Sequence, residues 1–377
     1  MSAPSSSVRP AMATVLAATV LASLAIAAAQ LAGCSAPQRQ GITAMPAPAS
    51  TAIAASVTRA QHQDAPRAAL ATMTPLLYAA GADVASDRPA HVRATSAVRR
   101  FAGGLIMAQD DANFLALRAA DGTITALPLP PDSKGKRLFS EALGNKAEKM
   151  DLEAALVLPD GRLVAFGSGS KPARKRLVVV TPSLDSRVVD AAALYDALDA
   201  RKDFVGAEMN IEGAVHINGT LRLFQRGNAA VVEGRAGLDA TIDIKLDAFV
   251  AWLDGKGALP ALGATRRYDL GSLGGVRLTF TDAAALPDGR VAFLAAAEAS
   301  PDTYRDGAVT GCRVGIIDGD AVVTYDLTHN DDGMCHLKLE GIELLDASPA
   351  GLRFYVVADV DDTEAPALGG ELFLPLP

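Results

Sequence analysis

From about residue 96 onward the chain alternates short apolar runs with turn residues. Runs of Val, Leu, Ile, Phe and Tyr are bounded by Asp-Gly, Asn-Gly and Gly-Gly pairs. Such pairs supply the positive φ that tight hairpins need, so the pattern predicts strand after strand. One motif recurs: an acidic residue, small and apolar residues, a turn, and a second apolar run. It opens at Asp151-Leu-Glu153, Asn210-Ile-Glu212, Thr281-Asp282 and Leu339-Glu340, with the acids of successive copies 59, 70 and 58 residues apart. A period near sixty built of hairpins marks a repeat architecture.

Four strands per unit is the signature of a propeller blade. Units opening near Ser96, Glu153, Glu212 and Leu278 each offer four. In the third, later strands are expected near Phe249–Trp252 and Arg267–Leu270. The unit opening at Leu339 offers three, and a strand within Ala68–Leu77 would complete it, closing the ring and hiding its edges. The expectation is an all-β, five-bladed β-propeller, with six blades if residues 59–92 contribute more than one strand. Asp190–Ala200 reads as a helical insertion.

The N-terminus follows another pattern. Ala11–Gln30 is almost unbroken Ala, Val, Leu and Ile, and ends in Leu31-Ala-Gly-Cys34. By length alone the run is nearly a membrane span. The small residues before Cys34 resemble the lipobox of bacterial lipoproteins. That resemblance implies a signal peptide over residues 1–33, cleavage before Cys34 and acylation of its thiol. Several acyl chains anchor stably, and Ser35, where an Asp would favour inner-membrane retention, leans toward the outer membrane. Residues 34–58, rich in Ala, Pro, Ser and Thr, read as a flexible tether, leaving 59–377 as the propeller domain.

Composition narrows the partners. The net charge is −8, and no basic run is interleaved with aromatics, so nucleic acid is excluded as a partner. Lys171–Arg176, the densest basic run, reads as a solvated loop. Of three cysteines, Cys312 and Cys335 remain for the exported domain. They are either a disulfide or two buried thiols.

Candidate chemistry follows from hairpin polarity, because the start of a unit's first strand and the end of its second lie at the same open end. Asp151 and Glu153 then meet Ser168 and Ser170. Glu208 and Glu212 meet Arg226 and Asn228, Asp282 meets Glu298, Glu340 meets Asp359, and Ser96 meets Asp110 and Asp111. With inner strands around the axis, these sets converge on one mouth of the channel. Converging carboxylates need a cation, an Arg or a shared proton. Hard cations take oxygen ligands, so Glu153, Glu212, Asp282 and Glu340 are the candidate calcium ligands and Arg226 the one embedded positive charge. The other reading has these acids cap the inner strand ends. No Gly-x-Ser-x-Gly, His-Glu-x-x-His, P-loop or dinucleotide fingerprint occurs. Ser168-Gly-Ser-Lys171 lacks the companions of a Ser-x-x-Lys site.

The repeats Asp-Leu-Glu-Ala, Ile-Glu-Gly-Ala and Leu-Glu-Gly-Ile, with Leu-Pro-Asp-Gly-Arg-Leu, Gly167–Ser170 and Leu223–Asn228, resemble a family. It is the bacterial lipoprotein propellers allied to esterase-like phytase propeller domains, and the likeness covers about residues 90–377. Alkaline propeller phytases cluster calcium with acids to bind phosphate esters, a chemistry for which the expected mouth offers few Lys or Arg. The sequence therefore points to an exported, lipid-anchored propeller binding a small ligand or cation at an acidic mouth. The alternatives are a calcium-assisted hydrolase of phosphoric or carboxylic esters, and an envelope scaffold that binds another protein.

Overall fold

The computed structural model describes residues 56–299, 307–329, 333 and 335–376. The expected signal peptide, the acylated Cys34 and nearly all of the tether lie outside the described residues. Among the described residues no helix is long and apolar enough to cross a membrane.

The first unit is an antiparallel sheet of Thr95–Phe101, Gly104–Gln109, Phe114–Arg118 and Ile124–Pro128. The second is Leu152–Val157, Leu163–Gly167, Arg176–Val180 and Ser186–Asp190. The third is Ile211–Ile217, Thr220–Gln225, Asp239–Lys245 and Leu262–Asp269. The fourth is Val276–Ala285, Val291–Glu298, Val309–Asp318 and Ala321–His329. The fifth is Lys338–Ser348, Gly351–Asp359 and Leu368–Pro375. The first strands of the units pack against one another in cyclic order, and that of the fifth packs against that of the first. The chain is a β-propeller.

The N-terminal strands serve outer edges and form no sheet of their own. Val57–Arg59 runs parallel to Leu262–Asp269. Gln61–Leu70 runs parallel to Ala321–His329, and through Ala69 and Leu70 pairs antiparallel with Phe373 and Leu372. Thr74–Pro75 continues along Leu368–Pro375. The strand expected within Ala68–Leu77 thus falls in these two segments and covers the outer edge of the fifth unit, where unpaired backbone groups would otherwise recruit another chain.

The sheets are buried on both faces. In Leu163–Gly167 every residue is buried. Val164 and Phe166 join the core that holds Leu194, Ile211 and Phe249, while Leu163 and Ala165 join the core that holds Ile106 and Leu115. Strands stacked in this way read as continuous apolar runs. Between the third and fourth units Phe280 packs edge-on against Phe224, Phe293 and Tyr268, at centroid distances of 5.2, 5.1 and 5.4 Å.

One strand expectation fails. Phe249–Trp252 lies in a helix, Leu246–Leu253; the third unit's third strand is Asp239–Lys245. Leu246, Phe249, Val250 and Leu253 follow helical spacing, and Phe249 stacks on Phe166 at 5.9 Å. The helical insertion is present as Ala192–Asp199. Cys312 and Cys335 come together as buried free thiols rather than a bonded pair. Cys312 Sγ donates to the Cys335 carbonyl at 3.7 Å.

Every inner strand carries a register shift at the same place: Thr95/Ala97, Leu152/Ala154, Ile211/Gly213, Phe280/Asp282 and Leu339/Gly341. The residue left over is Ser96, Glu153, Glu212, Thr281 or Glu340. A bulge of this kind re-aims one side chain out of the pleat.

Three residues past Ser96 on the same strand, Arg99 closes the axis. Its guanidinium donates to the carbonyls of Val98, Ala155, Ala214, Ala283 and Ile342, one from each inner strand. It also grips Asp282 at 2.9 and 2.8 Å. The mouth above is therefore a blind pocket.

Candidate functional site

The bulges present Glu153, Glu212 and Glu340 to a pocket of about 330 Å³ at the mouth. Asp110, Arg226, Asn228, Glu298 and Asp359, from the far ends of second strands, line the same pocket. With Asp111 and Asp151, which also line it, ten of the residues expected from hairpin polarity reach the pocket. Ser168 and Ser170 stand behind the pocket instead: Ser168 donates to Asp151, and the two hydroxyls lie 2.9 Å apart. Asp111 pairs with Arg93 at the edge, and Glu208 pairs with Lys171 at 3.2 Å.

Asp282 is a correction. It was aligned with the mouth acids, but the bulged residue of its unit is Thr281, one position earlier. A slip of one residue turns a side chain to the opposite face of a strand. Asp282 therefore joins Arg99 at the axis and accepts from the Ile342 amide at 2.9 Å. It is no part of the candidate metal set. Thr281 and Ser96 instead donate their hydroxyls to Leu339 and Leu152 carbonyls of the next unit, the capping role weighed for the acids.

Arg226 is not the only buried cation: Lys149, Arg174 and Lys338 also reach the pocket. Lys149 Nζ lies 2.7 Å from Asp110 Oδ2 and 2.5 Å from Asp151 Oδ1. Arg174 Nη1 lies 2.8 Å from Asp151 Oδ2 and donates to Ser170 Oγ at 2.9 Å. The solvated-loop reading of Lys171–Arg176 fails at Arg174, which is buried. On the other side Arg226 meets Glu298 at 2.6 Å, Glu212 at 3.4 Å and Glu340 at 3.8 Å. Lys338 meets Asp361 at 2.9 Å, Glu340 at 3.2 Å and Asp359 at 3.9 Å. Asn210 donates to Glu212 Oε1 at 2.6 Å. Lys149 and Lys338 precede the motif acids by four and two residues; a basic residue just ahead of each acid was the available signal. Arg174 had none, because it enters from the loop after a second strand.

Glu153 stands apart. It is 9 % exposed and lines the pocket, yet makes no hydrogen bond and no ion pair within 4.0 Å among the described residues. One oxygen each from Asp110, Asp151 and Glu153 lies within 4.8 Å of the others. Asp151 is held at φ 57, the left-handed region that Asp tolerates at local cost.

Burial, reinforced by Asp151 and Glu212, pushes Glu153 well above the carboxylate range. Burial likewise raises Glu340 well above it, against the pull of Lys338. Burial outweighs Arg226 at Glu212, which moves to about 7, and outweighs Lys338 at Asp359, which moves to about 8. At Asp151 burial loses: Lys149 and Arg174 hold its carboxyl below the usual range. The pocket thus sets carboxyls raised by burial and one lowered by its cations beside fixed ammonium and guanidinium groups.

A family of unknown function (DUF6929) matches residues 91–372. No curated protein matches significantly. Among solved structures the chain is similar to a Myxococcus xanthus glutaminyl cyclase (12 % identity, 85 % of this chain and 100 % of that one, TM-score 0.41). It is also similar to a gluconolactonase from Xanthomonas campestris (13 %, 84 % and 99 %, TM-score 0.35). A third is virginiamycin B lyase from Staphylococcus aureus (11 %, 74 % and 95 %, TM-score 0.35). Likeness at that level carries no residue or reaction across, because chemistry belongs to sites and not to folds.

Proposed function

The chain belongs to the DUF6929 family, whose function is unknown, and from the geometry of the mouth we propose that it is a propeller binding a small polar ligand or a cation there. The observation that carries this reading is Glu153. A largely buried carboxyl that faces a pocket and has no protein partner among the described residues loses much of its solvation without a compensating bond; a ligand that donates hydrogen bonds or carries positive charge supplies the missing interaction. Charge points the same way. Asp110, Asp151, Glu153, Glu212, Glu298, Glu340 and Asp359 line the pocket against Lys149, Arg174, Arg226 and Lys338, an excess of carboxylates that a positive or donor-rich ligand offsets.

The test is thermal stabilisation by a panel of polyols, amines and calcium. A compound that binds only the folded chain raises its apparent stability. Glu153→Gln and Glu340→Gln are expected to abolish the response. If no compound stabilises the protein and both variants lose stability, the acids serve the fold and the reading is wrong.

A second reading, a calcium-assisted ester hydrolase of the phytase-like or esterase-like kind, has one observation in its favour. Burial pushes the Glu153 carboxyl up while Lys149 and Arg174 hold Asp151, with an oxygen within 4.8 Å, down. Environments that push two carboxyls apart define an acid and a base. The four buried cations offer more to a phosphate ester than the sequence suggested, although each already holds a carboxylate. Turnover of phosphoric or carboxylic esters that vanishes in Glu153→Gln would establish this reading.

Anchoring through an acylated Cys34 at the outer membrane belongs to the proposal and is supported by Leu31-Ala-Gly-Cys34. Labelling by a fatty-acid probe that persists in Cys34→Ala would refute it.

A further inference from the structure

We propose that Asp110, Asp151 and Glu153 form the seat of a divalent cation, and that the Lys149 ammonium fills the seat in the ion-free protein, so that lysine and ion compete. This deepens the binding function proposed above by naming the ligand's class, and rests on it.

The argument begins with spacing. Hard divalent cations hold oxygens at about 2.3–2.6 Å, so two ligands of one ion lie at most about 5 Å apart. The three carboxylates meet that limit, with an oxygen each inside 4.8 Å. Lys149 Nζ touches an oxygen of two of those carboxylates, at 2.7 Å from Asp110 Oδ2 and 2.5 Å from Asp151 Oδ1. Its ammonium therefore stands where an ion would coordinate, as a single charge in place of a double one. It bonds one oxygen each of Asp110 and Asp151, and leaves Asp110 Oδ1 buried without a hydrogen bond and Glu153, the third ligand, without a partner among the described residues. A permanent structural ion pair would leave no third carboxyl aimed at the same point. The seat also has support behind it: Arg174 and Ser168 both bond Asp151 and hold its orientation. Lys149 hangs on a flexible four-carbon stem from the segment that rims the pocket, so it can withdraw without moving a strand.

The experiment is calcium titration of the full mature chain, read by thermal shift and calorimetry, with sodium chloride at matched ionic strength as control. Wild type is expected to bind weakly, in the roughly millimolar range of exported calcium modules. Lys149→Met is expected to bind about tenfold more tightly or better, because the competing charge is gone. Glu153→Gln is expected to lose the response in either background. If Lys149→Met folds only when calcium is present, the seat is supported directly. If Lys149→Met does not fold at all, wild type and Glu153→Gln decide: a calcium response lost in Glu153→Gln supports the seat. A response that persists in Glu153→Gln, or a folded Lys149→Met that binds calcium no better than wild type, overturns it. An amine or polyol that stabilises wild type while calcium does not would overturn the cation seat and leave the binding pocket standing. Silence from every compound would overturn both.

Discussion

Two clusters of buried charge sit within three residues of each other along the same inner strands, and they are built to opposite rules. At the axis, Arg99 spends its donors on one carbonyl from each inner strand and on both oxygens of Asp282. Asp282 takes an amide as well. A charge pair without an orphaned atom is a rivet, and the low dielectric around it strengthens each bond. At the mouth, carboxylates outnumber cations, one buried glutamate has no partner among the described residues, and five carboxyls are driven upward by burial. The difference teaches where to look for function. Saturation by backbone marks a group that holds the ring together, and incomplete satisfaction marks a group kept for something else.

The sharpest way to break this contrast is at the rivet. Arg99→Met strands Asp282 as an unpaired buried charge and releases five carbonyls. Urea denaturation should show a loss of about 3–5 kcal/mol or failure to fold, and a loss below about 1 kcal/mol would deny Arg99 its closing role. Asp282→Asn keeps the shape but weakens the pair, so a smaller loss of about 2–3 kcal/mol is expected by the same measurement.

The mouth should respond to pH at neutrality, through shifts added to the upward one that burial gives Asp282 at the rivet. Glu212 and Asp359 have folded values near 7 and 8, above their unfolded ones. For such groups the stabilising contribution is complete below the unfolded pKa, near 4. It is lost as pH rises through the folded values. Melting temperature should therefore fall between about pH 4 and pH 8. Asp359→Asn, which removes the carboxyl facing Lys338, Asp361 and Asp110, should flatten that slope; an unchanged profile would show that burial does not hold the proton there.

The smallest effect is expected at Glu153. With no partner to lose, Glu153→Gln should change ion-free stability by less than about 1 kcal/mol, in either direction. A loss as large as that of Asp282→Asn would place Glu153 with the rivet and remove the contrast altogether.

The sequence by itself determined the repeat of hairpin units, the missing outer strand of the last one, and which strand ends share a face. Those properties are local: turn residues set hairpins, and hairpin polarity sets which ends meet. Ten of the pocket's side chains were legible for that reason, from Asp110 to Asp359. Tertiary structure decided what local pattern does not encode. Asp282 looked like its counterparts Glu212 and Glu340 because the acidic pattern recurs there, yet pairing with the neighbouring strand placed the bulge at Thr281 and sent Asp282 to the axis. A bulge belongs to a pair of strands, so no single strand announces it. Phe249–Trp252 read as a strand until its packing on Phe166 made it a helix. Lys149, Arg174 and Lys338 became buried cations because loops and strand starts far apart in the chain converge on one opening, and burial turned ordinary surface residue types into the charges that define the mouth.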